Sequence, residues 1–273
     1  EIRVGVAALI LLAVAGPRAW RAMRGRIRKV AFVGVTFSAI PFGLFAFALL
    51  TLPAGMGSLL NAATPIFTAI VSAAWIGQRL TGRVMAGMGG GVIAVLVLVG
   101  WSPLPIGSHT LVAVAAALVA PMSYAVAGNF IRRSLPDVAG IDLAVGQLTF
   151  GALALLPVAI LTGPPGTPSL DGVLALGAVA VFSTALAWPL YFRVMSHTTP
   201  MAASTVTFIV PAFGIAWGAL VLGEPVGLDL VAGFGLVIVS LVLVLGLPVP
   251  SLAAARARTA QAFGWIAIRS APA

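Results

Sequence analysis

Ser58, Asn61, Pro65, Thr68 and Ser72 follow one another at spacings of three and four residues. On a helix turning about 100° per residue they fall within about 80° of arc. Neutral hydroxyls and an amide on one stripe suit hydrogen bonding to a polar ligand, and the proline frees the backbone carbonyl one turn earlier. From Ser58 to Ser204 is an offset of 146, and the positions matching the stripe are Ser204, Thr207, Pro211, Gly214 and Gly218. Two small or polar faces, each bearing a proline, read as the lining of a cavity. They also read as helix packing, because small residues allow close approach and Ser/Thr bond their own backbone.

Tyr124, Asn129, Gln147, Trp188 and Tyr191 lie within other apolar stretches and would supply aromatic walls and polar handles, although Tyr and Trp also mark membrane interfaces. Other chemistries find little support. There is no Cys, and His109 and His197 are expected in loops, so a thiolate or metal centre is not expected. Gly87, Gly89, Gly90 and Gly91 lack the Lys-Ser/Thr ending of a phosphate loop, and Gly87-x-x-x-Gly91 reads as a packing contact. A membrane enzyme would need a His/Asp pair or paired carboxylates at a membrane boundary, and no such cluster is legible. No catalytic residue, metal or cofactor is expected.

The elements that must position these residues follow from composition. The 273 residues are 61% hydrophobic and 8% charged, whereas soluble domains are about 25% charged. A hydrocarbon core spanned by about 20 apolar residues per helix accounts for the runs. Nine helices are expected near 3–16, 30–50, 54–76, 84–101, 110–130, 143–162, 171–194, 200–222 and 229–247. Continuous apolarity argues against a barrel, which alternates with period two. Val4–Ala15 resembles a signal peptide's core, but its basic cluster follows the run, so it reads as a shortened membrane helix.

The net charge of +9 reads as orientation information, not as a nucleic-acid site. Arg18 to Lys29, Arg79, Arg83, Arg132, Arg133, Arg193 and the tail arginines Arg256, Arg258 and Arg269 fall on one side if nine helices alternate; Arg3 alone falls on the other. That side is read as cytoplasmic, and Arg193 as a snorkelling anchor. Asp171, Glu224 and Asp229 fall outside, so no helix centre shows a carboxylate and the coupling ion stays open. The segment 251–269 reads equally as a membrane-surface segment or a disordered tail.

The offset of 146 aligns Pro53–Gly100 with Thr199–Gly246 without a gap, matching Ser58 with Ser204, Pro65 with Pro211, Gly77 with Gly223 and Gly87 with Gly233. This argues for duplication. It carries the helix near 110–130 to a position before residue 1, so a parent of ten helices, five plus five, is expected. An odd number per repeat inverts the second relative to the first, with a site between the halves near the midplane. The expected units are 1–101, a first repeat lacking its first helix; 109–247, a second repeat; and 248–273, a cytoplasmic tail.

Arg3, the stretch Ala63-Thr64-Pro65-Ile66-Phe67 leading to Gly77-Gln78-Arg79, Val210-Pro211-Ala212-Phe213 leading to Gly223-Glu224-Pro225, and Ser183 to Tyr191 together resemble the EamA family of the drug/metabolite transporter superfamily, over roughly 3–247. The resemblance implies an all-α membrane bundle of two inverted repeats that transports, often exports, amino acids or other small metabolites. Gln78 departs from the Glu usual in that family's first repeat. The expected substrate-binding residues are Asn61, Thr64, Thr207, Trp188, Tyr191 and Tyr124, with Pro65 and Pro211 shaping their helices. Expected partners are a small-molecule substrate and the lipid bilayer, with no nucleic acid and a homodimer as an open assembly. The expected setting is the cytoplasmic (inner) membrane, and a non-transporting scaffold or a permease subunit is the alternative.

Overall fold

The computed structural model describes residues 1–77, 80–100, 107–163, 166, 169–198, 209–244 and 246. Among them the secondary structure is helical throughout, in nine rods. These are α1 (Ile2–Ala22), α2 (Ile27–Ala48), α3 (Ala54–Asn61 and Thr64–Ile76), α4 (Gly82–Gly100), α5 (Ser108–Ser134), α6 (Gly140–Thr162), α7 (Leu170–His197), α8 (Ile209–Leu222) and α9 (Leu228–Val244). Six of them are long and apolar enough to cross a bilayer, and α4, α8 and α9 contain shorter apolar helices. Large apolar side chains such as Leu9, Leu153, Leu161 and Leu220 point outward, as lipid solvent requires.

The described ends fall near their expected bounds, with one clear difference, while the expected start of α8 near 200 lies outside the described residues. α1 runs on to Ala22 through Pro17 instead of stopping near residue 16. The Arg21 side chain donates to the Pro17 carbonyl at 3.1 Å, and a cation in a last turn favours the helix C-terminus. His109 and His197 fall in the terminal turns of α5 and α7, not in loops, and both are exposed. α3 ends at Gly77 and α8 at Gly223, positions one repeat apart, both in the left-handed region with φ of 68° and 67°. Glycine reaches that region without a Cβ clash and so stops both helices alike.

Packing follows the repeat. α1 packs on α6, α3 on α8 and α4 on α9, each rod against its counterpart 146 residues away. α2 packs on α6 as α7 packs on α1. For these contacts, exchanging the two halves returns the same pair. α5 packs along α2 and α3. Gly87 and Gly91 meet Ser240 of α9, whose hydroxyl donates to the Gly87 carbonyl. A Cβ at Gly87 would collide with α9 and one at Gly91 with Ile66 of α3, so the small residues here serve contact.

Candidate functional site

Within α2, Val35–Ala39 takes a π-helical turn, and within α7 so does Val181–Leu186. Both begin at residues one repeat apart. A π turn inserts an extra residue, frees backbone carbonyls and rotates the side chains beyond it. On α2 it turns Phe37 inward, where it is 3% exposed. Phe37 sits 5.2 Å from Tyr124, 5.2 Å from Trp188, 6.1 Å from Tyr191 and 5.6 Å from Phe192, centroid to centroid. Trp188 contacts Tyr191 edge-on at 5.7 Å and Tyr124 at 6.5 Å. Edge-to-face geometry is the favourable one for paired rings.

Phe42 and Trp188 are also one repeat apart, and their rings meet at 6.2 Å. The aromatic cluster therefore straddles the seam between the halves. Above Phe42 lies the Arg3 guanidinium, 4.3 Å from the ring centroid, a cation–π distance.

Hydrogen bonds from the other repeat fix the first π turn. Ser123 of α5 donates to the freed Thr36 carbonyl at 2.6 Å, and the Gln147 amide of α6 donates to the Ser38 hydroxyl. Thr36 itself donates to Phe32 O at 2.7 Å. Gly34 and Gly151 let α2 and α6 come this close; a Cβ at Gly34 would overlap Phe150 and one at Gly151 would overlap Ser38. The Gln147 carbonyl oxygen is buried with no partner among the described residues.

The α3 stripe resolves into separate roles. Pro65 opens the second segment of α3, so the Asn61 carbonyl lacks its helical donor. Thr64 supplies one, its hydroxyl donating to Asn61 O at 2.7 Å. Thr68 bonds back to Thr64 O at 2.8 Å, Ser58 back to Gly55 O at 2.7 Å, and Ser72 donates to Asn129 of α5 at 2.8 Å. Ser58 lies against Gly214 of α8, where a Cβ would not fit. The Asn61 side-chain oxygen is buried without a partner among the described residues.

At the end of α8, Glu224 reaches across to the other repeat. Its carboxylate accepts from Ala54 N at 2.8 Å and Gly55 N at 3.3 Å, satisfying two donors left open at the start of α3. Beside it an apolar groove of about 680 Å³ is lined by Ala54, Phe213, Gly214, Trp217 and Val221. It has the chemistry of a lipid-facing surface. Asp142, in the first turn of α6, is buried with one oxygen unpartnered among the described residues.

The structure thus brings Tyr124, Trp188 and Tyr191 together and places Asn61, Thr64 and Pro65 at the break in α3. Pro211 is buried in α8. Thr207, Ser204, Gln78, Arg79 and the segment 248–273 lie outside the described residues. Arg3, Phe37, Phe42 and Phe192 were not singled out as lining residues from the sequence. For one of them a signal existed: applying the repeat offset to Trp188 returns Phe42.

A model of the EamA-like transporter family matches residues 2–100 and 111–246. A Bacillus subtilis (strain 168) protein named as the uncharacterized transporter YvbV is 26% identical over 247 residues, covering 89% of this chain and 80% of its own. A Salmonella typhimurium (strain LT2) protein named as a probable amino-acid metabolite efflux pump is 27% identical over 235 residues, covering 80% of this chain and 77% of its own. One solved crystal structure superposes with a TM-score of 0.65 over 93% of this chain and 86% of its own; at 17% identity that likeness concerns the fold alone.

Proposed function

The chain belongs to the EamA-like transporter family, and we propose that it exports small metabolites such as amino acids across the cytoplasmic membrane by alternating access at the seam between its two repeats. One observation carries this reading: Phe42 and Trp188, related by the repeat, meet at the seam beside two π turns that are themselves related by it. A site on the seam is the place that rocking one half against the other opens first to one face and then to the other. π turns often mark such functional places, because they leave backbone groups that can change partners.

In this reading Tyr124, Trp188 and Tyr191 form the wall against which the apolar part of a substrate lies. The Asn61 side-chain oxygen, buried and unpartnered at a helix break, offers an acceptor to a polar part. Thr64 and Pro65 hold that break open, and Thr207, one repeat from Asn61, is its expected counterpart. The protein sits with its C-terminus in the cytoplasm, which fusion of alkaline phosphatase or a fluorescent protein to the C-terminus tests: fluorescence without phosphatase activity is the expected pair.

The test of transport compares extracellular metabolites from cells expressing the full-length protein with those from Trp188→Ala and Asn61→Ala variants of equal abundance. A related set of metabolites outside the cell only with the intact protein is the expected result. Matching profiles from all three would remove the seam as the transport site.

A further inference from the structure

Glu224 stands just past the end of α8, where Gly223, left-handed at φ 67°, turns the chain back so that the Glu224 N–H donates to Gly218 O at 3.0 Å. Its carboxylate lies over Gly218, where a Cβ would overlap it. From there it accepts from Ala54 N at 2.8 Å and Gly55 N at 3.3 Å, at the start of α3. The contact joins the second repeat to the first. One turn further along α3, Ser58 sits on Gly214 of α8, so the rods meet there through a hydroxyl and bare backbone. Glu224 is half-buried, and water can take the place of either partner when they part, because the open N–H groups of a helix start are served by a side chain or by water.

The opposite end of the bundle is held differently. There Arg26 and Asp137 pair at 3.8 Å, with Asp137 exposed, and Lys29 donates to Ser134 O at 3.4 Å. Both of these contacts also run from the first repeat to the second. An ion pair this open to water contributes little, whereas a carboxylate accepting a backbone N–H at 2.8 Å is among the stronger hydrogen bonds. From this we infer that Glu224 is a reversible latch on the seam. It keeps the two repeats joined at its own end, so the resting protein opens more readily at the Arg26–Asp137 end and must release Ala54 and Gly55 to open at the other. The inference rests on the transport reading above and names the contact whose breaking reverses the exposure of that site. A ligand or partner that favours one state shifts the equilibrium only by its differential affinity, and the latch sets the balance from which that shift begins.

The test measures two distances by pulsed electron spin resonance in the full-length protein purified in detergent. The 273 residues hold no cysteine, so introduced pairs can carry the spin labels. Leu50→Cys with Leu228→Cys reports the Glu224 end, and Ile27→Cys with Val194→Cys reports the opposite end; all four side chains are exposed. The wild type should be predominantly short at the first pair. Glu224→Ala removes the acceptor, and Gly218→Ala keeps it but pushes it off Ala54 and Gly55. Each should raise the ratio of long to short distances at the first pair roughly fivefold, the factor that loss of one helix cap corresponds to, and should shorten the second pair in the same protein. Glu224→Gln, which keeps one neutral acceptor, should fall between. Gly218→Ala guards against a folding failure, since it displaces only the tip of a flexible side chain. Unmoved distances in both variants overturn the inference, as does a wild type already long at the first pair. A first pair that lengthens while the second stays put also overturns it, because that is fraying of the α3 start alone. The metabolite comparison above separates the two readings. Reciprocal shifts in a protein that exports nothing remove transport and keep the latch, whereas export with unmoved distances keeps transport and removes the latch.

Discussion

The two π turns share a register and differ in what holds them. In α2 the turn is buried, and α5 and α6 lock it through Ser123 to the Thr36 carbonyl and Gln147 to Ser38. In α7 the turn closes on its own backbone, with Thr184 donating to Val179 O at 3.1 Å, and presents Val181, Phe182 and Leu186 outward. The same backbone device is thus fixed by buried polar contacts in one repeat and by its own helix plus packing on α1 in the other. A duplicated fold keeps the geometry at the seam while each half is free to change the forces that maintain it. The charge differs in the same way, with Arg3 beside Phe42 in one half and a neutral Thr149 at the matching place in the other.

The most severe way to break this contrast is Phe37→Ala, which empties the centre of the cluster. It should lower stability by about 3 kcal/mol in thermal unfolding. On the other turn, Phe182 is 68% exposed, and Phe182→Ala should change stability by no more than about 0.5 kcal/mol. Comparable losses from the two would show that both turns are equally built into the core.

Next in size are the locks. Gln147→Leu leaves the Ser38 hydroxyl without its donor, and Ser123→Ala leaves the Thr36 carbonyl bare. Each should cost about 1 to 3 kcal/mol. Thr184→Val removes a hydroxyl bonded within its own helix and should cost about 1 kcal/mol or less. Hydrogen exchange should sharpen the result, with faster exchange confined to residues 32–40 in the first two variants.

The smallest expected effect is at the contact between repeats made by Glu224. Glu224→Ala removes the acceptor for Ala54 N and Gly55 N and should lower stability by about 1 kcal/mol, as loss of an N-terminal cap does. Glu224→Gln keeps one acceptor and should recover part of it. A thermal melt of both variants checks this, and no change from either would mean that water serves the start of α3 equally well.

Much of the fold was legible along the chain because bilayer thickness and apolar runs are one-dimensional quantities. The nine runs appear as nine rods among the described residues, and rods 146 residues apart pack together. The break in α3 was half legible. Pro65 announced a freed carbonyl, but whether a ligand or a neighbour would take it depended on the Thr64 rotamer, and Thr64 takes it. Trp188, Tyr191 and Tyr124 were legible as aromatic walls, whereas Phe37 looked like one more apolar residue until the π turn rotated it inward. Arg3 read as an isolated charge at a helix start because nothing local shows which way its side chain points.

The sequence by itself determined the solvent, the number of rods and the duplication, because each is written in hydropathy, charge placement and spacing. Tertiary structure alone decided which faces met. A helical period assigns side chains to a face but leaves open the face's partner and any slip of register within a rod. The extra residue in α2, the close approach at Gly34 and Gly151, and the two-fold seam carried Phe37, Phe42, Tyr124 and Trp188 to one place. The meeting of these rings depends on contacts such as Phe42 with Trp188 and Phe37 with Trp188, residues up to 151 positions apart, and no local pattern encodes it.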